Sequence, residues 1–92
     1  MIPSAWPADL CADIRRAAPS SPAVDGVRLG IRPFRYPLTL SLARHHTGHR
    51  CVHCSAPFKR GELAICIRAL HDDEVTIHRL HLRAATCAAV LS

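Results

Sequence analysis

Two pairs of side chains in the second half of the chain have the types and spacing for metal coordination. Cys51 and Cys54 bracket two residues in Cys51-Val52-His53-Cys54, and His78 and His81 repeat that spacing in His78-Arg79-Leu80-His81. A Cys-x2-Cys turn aims two thiolates at one centre, because the backbone between them curls around an ion. Zn²⁺ takes four N or S donors in a tetrahedron, at about 2.3 Å for sulfur and about 2.0–2.1 Å for nitrogen. The spacing predicts that His78 ends a strand and His81 opens a helix, where side chains three residues apart converge. The expected ligand set is Cys51, Cys54, His78 and His81, with Zn²⁺ as the cofactor. Cys87, six residues beyond His81, is the alternative fourth ligand. A closed four-ligand site keeps no position for water and is structural, not hydrolytic. A redox reading of the Cys51/Cys54 pair needs a βαβ context, and none is visible.

Each of these residues must be positioned by something. Pro7 to Ala18 reads as a short helix with Ser4 as a candidate N-cap; Leu10, Ile14 and Ala17 share an apolar face, and Arg15 and Arg16 are expected to face water. Pro19-Ser20-Ser21-Pro22 ends it. Val27, Leu29 and Ile31 alternate with polar residues or glycine, as do Leu38, Leu40 and Leu42, which predicts two strands or a loose hairpin over 27–42, with a helix from Pro37 to Gly48 as the alternative for the second run. Ala64 to Leu70 and Val75 to His78 read as a hairpin joined by His71-Asp72-Asp73-Glu74. From about Leu80 to Leu91 the chain favours helix, with Leu82, Ala85 and Ala89 on one face.

Cys51-x2-Cys54, then Pro57-Phe58, Gly61-Glu62, a hairpin, and His78-x2-His81 leading into a helix resembles the treble-clef zinc fingers. Among these, the LIM-like and poly(ADP-ribose) polymerase-type fingers are most similar. The resemblance spans residues 49–91. It implies an α+β fold stabilised by zinc: a zinc knuckle, a β-hairpin and a C-terminal helix. Residues 1–48 would add an N-terminal helix and an extended basic arm, and residues 49–92 would form the finger. Cys11, Cys66 and Cys87 are expected to be small buried apolar residues, and His45, His46, His49 and His53 solvated ones.

Charge points to the partner. The 92 residues hold 12 Lys+Arg against 7 Asp+Glu, a formal net charge of +5. Between Gly26 and Gly61 there is no acidic residue at all. That stretch holds Arg28, Arg32, Arg35, Arg44, Arg50, Lys59 and Arg60, with Phe34 and Tyr36 interleaved as a stacking surface. Arginine is a planar bidentate donor suited to phosphate, and a basic cluster is the electrostatic footprint of nucleic-acid binding. The expected function is a non-catalytic zinc-finger module that binds nucleic acid through this face. The alternative is an adaptor or inhibitor docking on an acidic protein surface within a nucleic-acid-handling complex, anchored by Trp6 and the Leu38/Leu40/Leu42 stripe.

Other classes are disfavoured. Ile77-His78-Arg79-Leu80-His81 faintly echoes the ββα-metal nucleases, but a zinc ion on both imidazoles leaves no general base there. No apolar run approaches the ~18 residues of a membrane span. The opening Met1-Ile2-Pro3-Ser4 has no basic start, which predicts no export signal and a cytoplasmic chain with reduced thiols. A chain this small has a marginal core and needs a staple.

Overall fold

The computed structural model describes residues 6–46 and 48–91. In chain order the elements are α1 (Ala8–Ala17), β1 (Val27–Leu29), β2 (Leu38–Ala43), β3 (Ala64–His71), β4 (Glu74–His81) and α2 (Ala84–Leu91). The architecture is α+β. One antiparallel sheet runs β1-β2-β3-β4, with each strand beside its sequence neighbour.

Alternation in the sequence becomes the inner face of this sheet. Leu38, Leu40 and Leu42 of β2 are buried, as are Ile65, Ile67 and Ala69 of β3. The register sets Leu40 between Val27 and Ile67, and Ile65 against Leu80. Helix α1 buries Leu10, Cys11 and Ile14 into the same core. Its first amide bonds run back to Pro7, whose carbonyl accepts from the Cys11 N–H at 3.1 Å. The N-cap expected at Ser4 lies outside the described residues. The β3–β4 hairpin closes through Asp72 and Asp73, both at positive φ (48° and 66°). Two left-handed residues give the turn whose twist matches the flanking strands.

Three expectations are corrected here. The first is the start of the second helix. β4 stays extended through His81, pairing with Ala64, and α2 begins only at Ala84. The second is the apolar stripe offered as a docking anchor. Trp6 is 3% exposed and Leu38 and Leu40 are fully buried, so these side chains are the core itself. The third is Arg15, which does not face water. Arg16 is exposed and pairs with Asp13, whereas Arg15 turns inward. The sheet also joins the two expected segments: β2, from residues 1–48, pairs along five positions with β3, from residues 49–92.

Candidate metal centre

The Cys51–Cys54 turn is built from backbone. The Cys51 amide donates to the Ala56 carbonyl at 3.0 Å, and the Ser55 amide donates back to the Cys51 carbonyl at 2.9 Å. Ser55 takes a φ of 63° to close the loop. Arg50 then caps it, donating to the Ser55 carbonyl at 3.1 Å. The knuckle is pinned to the last strand, because the Val52 amide donates to the Arg79 carbonyl at 2.9 Å. It is pinned to the N-terminal segment by the Trp6 amide, which donates to the Val52 carbonyl at 2.9 Å.

This scaffold brings four buried donors together: the sulfurs of Cys51, Cys54 and Cys87 and a ring nitrogen of His81, all within 4.8 Å of one another. Cys51 Sγ lies 3.5 Å from Cys87 Sγ, Cys54 Sγ lies 3.3 Å from His81 Nδ1, and Cys87 Sγ lies 3.7 Å from His81 Nδ1. A zinc tetrahedron with the bond lengths above has edges of about 3.5–3.8 Å. These three edges fall at or within a few tenths of an ångström of that range. The donor set, three thiols and one imidazole, is also a common one for structural zinc. The residues fit the ion.

Cys51, Cys54 and His81 of the expected set are in this cluster; His78 is not, and Cys87 takes the place assigned to it. The reason is periodicity. Along a strand, residues three apart point to opposite faces. His78 sits across from Ile67 on the core side, with its ring 5.0 Å from Trp6 and Nε2 3.0 Å from Thr76 Oγ1. Had the helix begun at Leu80, the pair would have converged. With the helix starting at Ala84, Cys87 comes round in its first turn instead. Cys87 is the one buried residue of α2; Ala85, Ala89, Val90 and Leu91 are exposed. The helix is therefore fastened to the body through the side chain that faces the other thiols.

Electrostatics match the demand. A metal needs thiolates and a neutral imidazole. Burial raises the Cys51 thiol, but hydrogen bonds from the backbone at His81, Cys54 and His53 and from the Cys87 thiol outweigh it, and the thiol is held low. Burial holds the His81 imidazole below its usual range and keeps it neutral. Without an ion, burial and the neighbouring Cys51 and Cys54 sulfurs push Cys87 up to about 12. Three sulfurs this close cannot all ionise unless a cation sits among them. Cys11, beside this cluster, is also raised by burial, to about 11, and donates weakly to the Trp6 carbonyl at 3.9 Å. It behaves as the small buried residue expected of it. Cys66 is only half-buried and accepts from Arg79 Nη1 at 3.0 Å.

Of the basic residues expected on the binding face, all but Arg50, which caps the Cys51–Cys54 turn, fall into two groups at opposite ends of β2. At one end, Arg44, His45, His46, His49, Lys59 and Arg60 line an open groove of about 740 Å³ that has no acidic residue in its walls. The turn from Lys59 to Glu62 sets two of these cations on its rim, and it needs the positive φ of Gly61 (75°). Phe58 forms a wall and connects groove to metal centre, lying 4.7 Å from the His46 ring and 4.4 Å from the His81 ring. At the other end, Phe34, Arg35 and Tyr36 border a second cavity of about 170 Å³. Phe34 packs on Trp6 at 5.1 Å and is half-buried, whereas Tyr36 is exposed with Arg35 over its ring. Arg28 and Arg32 are exposed near that end.

Scans against protein-family models, curated proteins and solved structures find no match to this chain. No helix among the described residues is long and apolar enough to cross a membrane.

Proposed function

We propose that this protein is a non-catalytic zinc-binding module that holds nucleic acid by its phosphates in the groove lined by residues 44–46, 48–49 and 57–61. A four-donor site that satisfies zinc has no vacant position for a reacting water, which supports a structural role for the ion. The knuckle at Cys51–Cys54, the β3–β4 hairpin and the helix that delivers Cys87 support the treble-clef reading of this half of the chain. The nucleic-acid reading is carried by one observation: a groove lined by three permanent cations and three imidazoles, with one carboxylate, Glu62, beside it on the Lys59 amide, and a Phe58 wall that rests on a metal-centre residue. Phosphate is the anion that Arg44 and Arg60 suit as bidentate donors and Lys59 as a point charge.

Fluorescence anisotropy of the zinc-loaded protein with labelled single- and double-stranded oligonucleotides tests this, across roughly 50–200 mM salt. Three phosphate contacts predict log K falling with log salt at a slope of about −2 to −3, with little dependence on sequence. Absence of binding to DNA and RNA at the lowest salt removes the reading and leaves an acidic protein surface as the partner to seek.

A further inference from the structure

The metal centre has a fifth participant that the spacing of Cys and His does not reveal. Arg15, from α1, reaches across the molecule with two guanidinium N–H groups, those on Nε and Nη2, engaged. Nη2 donates to Cys87 Sγ at 3.0 Å, across 72 residues of sequence, and Nε donates to the His81 carbonyl at 3.0 Å. Both acceptors belong to residues of the four-donor cluster. The two bonds span the link between β4 and α2, the segment that must hold His81 and Cys87 at a fixed separation.

We propose that Arg15 is a positioning residue of the metal centre, its guanidinium hydrogen-bonding the Cys87 thiolate and balancing the charge of the loaded site. This rests on the metal-binding reading above. Three thiolates, one neutral imidazole and a dication sum to −1, and Arg15 supplies the compensating +1 beside the Cys87 sulfur. A hydrogen bond to a ligating group fixes its direction and tunes its basicity, and losing such a partner commonly weakens metal affinity 10–100-fold. The consequence reaches the N-terminal half. Because Arg15 sits on the same helix as buried Leu10 and Ile14, docking of α1 and retention of the ion favour one another by linkage.

The test uses the full chain loaded with cobalt(II) as a zinc probe. Wild type should take one equivalent and show sulfur-to-cobalt charge-transfer bands of three thiolates. Arg15→Met should keep those bands but lose 10–100-fold in affinity by chelator competition. Its charge-transfer band should also move to lower energy, because a thiolate without its donor holds its lone pairs less tightly. Arg15→Lys, with the charge but a single ammonium donor, should fall between the two. Arg16→Met, one residue away and exposed, should match wild type. Arg15→Met within twofold of wild type with an unmoved band overturns the proposal, as does an Arg16→Met loss of equal size. If Arg15→Met does not fold, Arg15→Lys decides: a severalfold loss supports the role and wild-type affinity overturns it. Failure of wild type itself to take cobalt or zinc removes the metal centre, a result distinct from any of these.

Discussion

The imidazole of His78 packs against the indole of Trp6, ring centroids 5.0 Å apart and tilted by 53°. This contact holds His78 half-buried against the indole, while His81, three positions on, turns to the thiols. Replacing each therefore has a different consequence. His78→Phe keeps the packing against Trp6 and should retain one equivalent of zinc. Cys87→Ser should lose the ion or hold it far more weakly, and with it the anchorage of α2, whose other seven residues bury almost nothing. Metal analysis after gel filtration reads the first effect and far-ultraviolet circular dichroism the second. Zinc lost from His78→Phe and kept by Cys87→Ser overturns the ligand set.

Much of this was legible in the sequence, and the misreadings share a cause. Leu38/Leu40/Leu42 and Ile65/Ile67 alternate cleanly, and the strands they predict are present. Leu10 and Ile14 mark the buried face of α1. The end of β4 was the weak point. His78-Arg79-Leu80-His81-Leu82 suits a strand or a helix start equally, and a shift of a few residues there exchanges one ligand for another. Cys87 carried a signal all the same. In the helix Ala84–Leu91 it is the sole side chain with metal chemistry, although the face expected to pack was that of Leu82, Ala85 and Ala89. Arg15 carried none, since a contact across 72 residues leaves no trace in local periodicity.

Acid should destabilise the fold as pH falls through the depressed histidine values. Burial holds the imidazoles of His78 and His49 below the ordinary 6.5; the His49 ring adds to the effect at His78, and Arg79 and His46 add to it at His49. A basic group depressed in the folded state binds its proton first in the unfolded chain. Its contribution is thus fully present above about pH 6.5 and is lost as pH falls through the folded values. Zinc release acts in the same direction, because thiols and imidazoles must deprotonate to bind. On the alkaline side the sign reverses. Cys11 is raised from 9.0 to about 11, so its contribution is complete below 9 and lost as pH climbs toward 11. Urea unfolding followed by Trp6 fluorescence should show a plateau between these limits. Cys11→Ala should flatten the alkaline fall, and stability that rises below pH 6 contradicts the account.

The two basic ends of β2 should not contribute equally to nucleic-acid binding. Six residues of strand hold them roughly 20 Å apart. Neutralising Arg44, Lys59 or Arg60 should each weaken binding for all sequences alike and reduce the salt slope by about one. Arg28→Ala and Arg35→Ala, at the far end, should change affinity little. Anisotropy titrations of the five single variants decide this. If the far pair dominates, the groove is not the binding surface.

The zinc-holding half should not reach its native state alone. Structural zinc is worth about 10–16 kcal/mol in finger peptides, enough to close the knuckle. But Ile65, Ile67 and Leu80 are fully buried under side chains from residues 6–42, namely Trp6, Leu10, Ile14, Leu38, Leu40 and Leu42. Cutting the chain at residue 49 removes that cover and strips β3 of its partner β2, leaving a two-stranded hairpin, which is marginal in water. Residues 49–92 should bind zinc through Cys51 and Cys54 yet show no cooperative thermal transition. In the full chain, Leu40→Ala should cost about 2–5 kcal/mol, since Leu40 is fully buried between Val27 and Ile67. Zinc affinity should fall with it, because folding and metal binding are coupled. A sharp, two-state melt of the zinc-loaded 49–92 fragment would show instead that the ion alone organises this half, with the N-terminal layer an addition.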